Sequence, residues 1–102
     1  DKQNYYLFIA PSLHVDTIDT FYMSVKYEYE GKSQKILPIT IVQLESILQT
    51  IKQLSIQGKK FNHIDMQHLY ERCTDIKNVS NSSTWIDYIA NELCAWESQL
   101  VS

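Results

Sequence analysis

The chain opens on an unbroken run of apolar residues. Residues 5–10 read YYLFIA, without the alternation of apolar and polar positions that marks a half-buried strand. A continuous run of this length is typical of a strand that is covered on both faces. A second short run, ILPIT at 36–40, predicts another strand, which Pro38 restricts to a sheet edge or to a short stretch of pairing.

Four further segments carry the 3.6-residue spacing of amphipathic helices. The first is predicted to begin near His14 and to end at Gly31, and the second to be capped by Thr40 and to end at the Gly58 turn. The third is predicted over residues 62–77, and the fourth over 85–100 with Ser82 or Ser83 as its cap. The expected core-facing positions of the second helix are Leu44, Ile47, Leu48, Ile51 and Leu54. Those of the third helix are Ile64, Leu69 or Tyr70, Cys73 and Ile76. Those of the fourth helix are Ile86, Ile89, Leu93, Trp96 and Leu100, with Trp85 on the same face as Trp96.

The order strand, helix, strand, then three helices predicts an α/β fold. A helix between two short strands indicates a parallel crossover connection. Two parallel strands do not make a stable sheet alone, so we interpret YYLFIA as an interior strand whose neighbours are encoded elsewhere. Residues 1–102 are therefore expected to be a single segment, the C-terminal portion of a larger α/β domain, and the start at Asp1 without methionine agrees with that expectation.

Charge and cysteine content narrow the function classes. Nine basic and twelve acidic residues give a net charge of −3, which argues against a wide surface that grips nucleic acid. Cys73 and Cys94 form no CxxC pair, so we expect two reduced, buried thiols. No apolar run is long enough for a bilayer, and no membrane partner and a cytoplasmic location are expected.

Several patterns resemble catalytic motifs and fail on placement. Glu30-Gly31-Lys32 with Asp16 or Asp19 has the spacing of a magnesium nuclease motif, but those residues fall on a helix and a loop instead of on converging strand ends. A second such match, Asp65 with Asp75-Ile76-Lys77, falls on one predicted helix. His63 and His68 are five residues apart and face different directions on a helix, which argues against a zinc site.

Two parts of the chain are candidate functional surfaces, the end of the first strand and the first helix. Ser12 and His14 follow the end of the first strand, where ligands of open α/β sheets bind, although a helix-start residue that faces water is the more ordinary explanation of His14. The first helix carries Tyr22, Tyr27 and Tyr29 as apolar area beyond its core stripe, and this indicates a candidate subunit interface.

The stretch FIAPSLHVDT at residues 8–17, followed by ILPIT at residues 36–40, resembles the C-terminal end of AlwI-type restriction endonucleases, relatives of the FokI cleavage domain. The resemblance implies an incomplete PD-(D/E)xK nuclease fold whose metal-binding carboxylates and lysine precede this segment. It therefore implies no catalytic residue and no cofactor here, with Mg²⁺ bound by the full enzyme.

The same resemblance implies the partners of this segment. They are double-stranded DNA, through the full-length protein, the rest of the nuclease domain, and a second copy in a homodimer. Ser12 and His14 become candidates for residues near DNA, and the helix Asp16 to Tyr27 becomes a dimer-interface candidate through Asp19, Tyr22 and Lys26. The alternative interpretation is a small acidic, non-enzymatic interaction module, such as an immunity or adaptor protein, which would cover its first strand by binding a partner.

Overall fold

A computed structural model describes residues 4–27 and 34–102. The predicted order of elements is confirmed: β1 (Asn4–Ala10), α1 (Val15–Lys26), β2 (Gln34–Thr40), α2 (Ile41–Ile56), α3 (His63–Thr74) and α4 (Ser82–Val101). The α/β class, with two parallel strands and four helices, follows from these elements.

The two described strands form one parallel pair. Tyr6 lies opposite Ile36 and Ala10 lies opposite Thr40, so the carboxyl ends of both strands meet at the same edge. Pro38 is buried opposite Phe8. Within the described residues β1 pairs with β2 alone, and the other edge of β1 has no neighbouring strand.

Helix α1 connects the strands and packs one side on the core. Its buried residues are Ile18, Tyr22 and Val25. The predicted end at Gly31 is wrong, because the helix ends at Lys26 and the backbone of Tyr27 is already extended. Gly31 itself lies outside the described residues.

Helix α2 begins as its sequence predicts. The Thr40 hydroxyl accepts a hydrogen bond from the Gln43 backbone N–H at 3.1 Å, and the Gln43 side chain accepts one from the Thr40 N–H at 2.8 Å. Gly58, at φ +77°, supplies the left-handed residue just after the helix. One expectation for the core stripe is wrong: Leu48 is exposed, since it lies at the side of the stripe that turns away from the core.

Helix α3 is shorter than predicted and begins with a capping box. Asn62 caps it by accepting from the backbone N–H of Ile64, and the Asp65 carboxylate accepts from the Asn62 N–H. The helix ends at Thr74, so Ile76 and Lys77 lie beyond it. Ile64 is exposed in the first turn, contrary to its predicted place in the core, while Leu69 and Cys73 are buried.

Helix α4 closes the core but is capped by a different residue from those predicted. The Asn81 side chain accepts from the Thr84 N–H at 2.9 Å, so neither Ser82 nor Ser83 is the cap. The predicted apolar face is confirmed by its buried residues, which include Trp85, Ile89, Leu93 and Trp96.

One core joins the strands and all four helices. The Trp85 ring lies 5.8 Å from the Tyr22 ring, and its indole N–H donates to the Cys73 carbonyl at 2.9 Å. The Tyr22 hydroxyl donates to the Val79 carbonyl at 3.0 Å. These contacts attach α1 directly to α4 and to the loop before it, and they attach α4 to α3.

Candidate functional site

The carboxyl end of β1 opens onto a cavity. Its volume is about 330 Å³, and its floor is apolar, with Phe8, Leu13 and Ile18. The polar atoms at its rim come from Ser12, His14 and Thr17, whose side chains are exposed. The structure therefore brings Ser12 and His14 together at the strand end, as predicted.

Ser12 and His14 interact with each other over a long contact. The Ser12 hydroxyl and the His14 Nε2 atom are 3.4 Å apart. His14 occupies the N-cap position of α1 but makes no side-chain hydrogen bond to the first turn. Among the residues that line this cavity none is acidic, so the pair has no carboxylate to orient the imidazole for nucleophilic catalysis. The arrangement is suited to hydrogen bonding.

The dimer-interface candidates of α1 differ in accessibility. Tyr22 is only 4 % exposed, so the expectation that it adds apolar surface is wrong: its ring lies in the core against Trp85. Asp19 is exposed and accepts a hydrogen bond from the Ser82 hydroxyl. The Lys26 ammonium lies 5.6 Å from the centroid of the Tyr27 ring, at the surface. Their role in a dimer stays a prediction.

The described residues do not fit a magnesium site. No group of three or more His, Cys, Asp or Glu side chains in residues 4–27 and 34–102 could hold a metal ion. Asp16 and Asp19 are on α1, and the Glu30 and Lys32 of the nuclease-like spacing lie outside the described residues. We therefore assign no step of phosphodiester hydrolysis to these residues.

The two cysteines lie in opposite environments. Cys73 is fully buried, and this burial, together with the nearby negative charge of Glu92, raises the pKa of its thiol to about 12. Cys94 is exposed on α4, so the expectation of two buried thiols is wrong for this residue. Helical spacing places Cys94 nearly opposite Trp85 and Trp96, and that position decides its exposure.

A second cavity, between α3 and α4, was not predicted. It has a volume of about 410 Å³ and is lined in part by Asp65, His68 and Arg72. The Arg72 guanidinium forms an ion pair with Glu92 at 3.2 Å and donates to the Gln99 side chain at 2.9 Å. Its charged groups thus hold the two helices together, and nothing in the spacing of the sequence signals the cavity, because its walls come from distant helices.

Comparison with known proteins identifies the region that contains the first cavity. Residues 1–47 match the family model described as AlwI restriction endonuclease. They are an AlwI-type restriction endonuclease segment. The match includes both motifs on which the resemblance depends, FIAPSLHVDT and ILPIT, and the proposed site at Ser12 and His14 lies within it. Among curated proteins no match to the chain is found. Within the described part of the chain, no helix has the length and apolar character needed to cross a membrane.

Proposed function

We propose that this AlwI-type chain is the C-terminal scaffold and dimerisation part of a type II restriction endonuclease. The complete enzyme hydrolyses phosphodiester bonds of double-stranded DNA with Mg²⁺, and the 102 residues have no cleavage activity by themselves. The observation that carries the proposal is the family match over residues 1–47, which includes β1, α1, β2 and the cavity at the end of β1.

The exposure of β1 supports a scaffold role. Tyr6 is 48 % exposed and Ile9 is 41 % exposed, and their positions along the strand place them on opposite faces of the sheet. The outer edge of β1 has no strand beside it in the described residues. Open backbone groups and apolar side chains on both faces are suited to further strands and helices of the rest of the nuclease domain, which would supply the Mg²⁺ ligands.

Ser12 and His14 are the residues of this segment that we propose to lie near DNA. They are exposed at the carboxyl end of β1, and a hydroxyl and an imidazole can both donate hydrogen bonds to phosphate oxygens. Such contacts position a duplex without reading its sequence. The net charge of −3 agrees with a small contribution to DNA binding from this segment.

Dimer formation through the exposed side of α1 is part of the same proposal. Asp19 and Lys26 carry it, because the burial of Tyr22 leaves these two charged side chains at the surface. They lie seven residues apart, about two turns, on one side of the helix. Lys26→Glu should weaken pairing, because the proposal places Lys26 opposite an acidic residue of the second copy.

The test compares two proteins: this chain and the full-length protein in which the proposal places it. We expect the full-length protein to cut duplex DNA with Mg²⁺ and to stop when EDTA is added, while the isolated chain is inactive under both conditions. Cleavage by the isolated chain would contradict the scaffold role. A full-length protein that folds and never cuts would favour the interaction-module alternative.

Two variants test the role of the cavity rim in the full-length enzyme. Changing Ser12 and His14 together to Ala should reduce DNA affinity by about thirtyfold, since each of the two lost phosphate contacts removes about 1 kcal/mol. Thr20→Ala, an exposed change on α1, is the matched control and should leave affinity unchanged. Equal affinities of the double variant and the control would remove Ser12 and His14 from the proposal.

A further inference from the structure

The cavity at the carboxyl end of β1 has a lining without fixed charge. Its volume of about 330 Å³ lies within the range of small-ligand pockets, and its floor is apolar. No aspartate, glutamate, lysine or arginine is among the described residues that line it. The interior is therefore suited to a neutral group, because a charged group would lose its water there and gain no opposite charge.

The polar groups at the rim of this cavity can both donate and accept hydrogen bonds. They are the hydroxyls of Ser12 and Thr17 and the imidazole of His14, and all three residues are exposed. Ser12 and His14 are 3.4 Å apart, so either can exchange this long contact for one to a ligand. A phosphate oxygen only accepts, whereas the edge of a nucleobase presents donors as well as acceptors. The rim is thus suited to a base edge.

The floor of the cavity includes an aromatic side chain that is held in place. The ring of Phe8 packs against the ring of Phe21, with 4.8 Å between the ring centroids, and Phe8 also lines the cavity beside Leu13 and Ile18. Every nucleobase has a π-face that stacks on aromatic side chains. The floor and the rim therefore match the two parts of a nucleobase, its face and its edge.

We propose that this cavity receives one nucleobase that is turned out of the DNA duplex. The assignment rests on the proposed function, which brings double-stranded DNA to Ser12 and His14. A base within a duplex is stacked between its neighbours, so it can enter a protein pocket only after extrusion. The flanking phosphates stay outside the cavity, where Ser12 and His14 can hold them while Thr17 meets the base edge.

The position of the cavity in the chain agrees with this role. All the residues that line it lie between residues 8 and 18, inside the segment 1–47 that matches the AlwI family model. The cavity between α3 and α4 differs on both counts, because charged Asp65 and Arg72 line it and its residues lie outside the match. Of these two cavities, the one at β1 is therefore the candidate for a neutral part of DNA.

A fluorescent base analogue reports the extrusion. 2-Aminopurine is quenched when it is stacked in a duplex and becomes brighter when it is unstacked. It is placed at one position at a time in a duplex that the full-length protein cuts, and the protein is added with EDTA to prevent cleavage. Binding should raise the fluorescence about fivefold at one position and by less than about twofold at the others.

Two variants of the full-length protein test whether the base enters this cavity. Thr17→Trp places an indole where the base would lie, and Phe8→Leu keeps the floor apolar but removes its ring; each should reduce the fluorescence rise by at least about half. Ser98→Trp, at an exposed position on α4, is the matched control for the added indole and should keep the full rise. Circular dichroism of all three variants should match that of the parent.

A mismatched duplex gives an independent measure. A mismatched base costs less to turn out of the stack, so a mismatch at the bright position should raise the affinity of the parent protein by about tenfold. Thr17→Trp should remove this gain, because the extruded base then has no cavity to enter. Ser98→Trp should retain it.

Three results would overturn the inference. One is a full-length protein that cuts duplex DNA with Mg²⁺ although no position brightens, and this result would leave the proposed nuclease role intact. Another is a fluorescence rise that persists unchanged in Thr17→Trp, which would place the unstacked base elsewhere. The third is an equal gain from the mismatch in the parent and in Thr17→Trp. A full-length protein that neither binds nor cuts DNA would instead contradict the proposed function, and this inference with it.

Discussion

Among the described residues, the region β1–α1–β2 leaves more of its hydrogen-bonding groups without partners than the region α3–α4 does. Helices α3 and α4 each begin with an asparagine cap, and Lys59 donates to the Ser102 carbonyl at 2.9 Å at the other end of α4. By contrast, His14 leaves the first turn of α1 without a side-chain cap, and β1 keeps an open edge within the described residues. The ends of α3 and α4 have hydrogen-bond partners within the chain, whereas the AlwI-type region retains surface that is suited to partners.

This difference does not divide the chain into two folding units. The ring of Tyr22 on α1 packs against Trp85 on α4, and α1 and β2 share their core with α3 and α4. If the α3–α4 region stabilises β1–α1–β2, the loss of a contact between the two regions should destabilise the whole chain.

The largest effect is expected at Trp85. Trp85→Ala removes a fully buried ring that contacts α1 and hydrogen-bonds to α3, and should lower the free energy of unfolding by about 3–5 kcal/mol. Urea denaturation followed by circular dichroism measures the loss, with exposed Val42→Ala as a control that should change it by less than about 0.5 kcal/mol. A loss of unfolding free energy below about 1 kcal/mol would contradict the stabilisation of β1–α1–β2 by α4.

Alkaline pH should lower the free energy of unfolding through Cys73, which lies on α3. The folded thiol stays protonated up to a pKa of about 12, while the unfolded thiol ionises near its ordinary pKa of 9.0. The unfolded state therefore binds fewer protons above pH 9, so stability is full below that pH and falls by roughly 1–2 kcal/mol by pH 10. Urea denaturation at pH 7 and pH 10 measures this loss. A Cys73→Ala variant should lose less between the two pH values; an equal loss would assign the effect to other groups.

Removing one hydroxyl tests the link between the regions directly. Tyr22→Phe deletes the hydrogen bond to the Val79 carbonyl and should cost about 1 kcal/mol, because that buried carbonyl loses its partner. The control is Tyr27→Phe, because the Tyr27 side chain is exposed. Thermal unfolding of the two variants distinguishes them, and equal midpoints would mean that the hydrogen bond contributes nothing.

The smallest effect is expected from an exchange of the N-cap residues of α1 and α4. Asn81→His should destabilise α4 by roughly 1 kcal/mol, whereas His14→Asn should stabilise α1 by about 0.5 kcal/mol, since asparagine is a strong N-cap residue and α1 lacks one. Differential scanning calorimetry measures both. If neither variant changed the stability of the protein, the helix caps would not account for the difference between the regions.

Local sequence signals were sufficient for most of the fold. The YYLFIA run predicted β1 because a covered strand needs no polar alternation, and Thr40 predicted the start of α2 because its hydroxyl serves the next turn within the same segment. Trp85 and Trp96 were predicted to share a buried face from helical spacing alone. Ser12 and His14 were brought to one cavity because they directly follow a strand whose end was predicted.

The wrong predictions depended on contacts between distant residues. Around residue 82 the sequence offers several cap residues, and Ser82 is not the cap because its hydroxyl donates to Asp19, 63 positions away. Leu48 and Ile64 fit an apolar stripe, but the direction of the core is set by other elements. Cysteine is generally buried, but Cys94 is exposed because its position on α4 lies nearly opposite Trp85 and Trp96.

The boundary of the AlwI match falls inside a helix. It ends at Ile47, a buried residue in the middle of α2, whose next turns supply Thr50 and Leu54 to the same core. A chimera joined at residue 47 would therefore interrupt α2 and disturb the core residues that the helix contributes. A junction that leaves this core whole must lie beyond the last helix, because α1 and β2 share the core with α3 and α4, and the structural unit is therefore larger than the matched sequence.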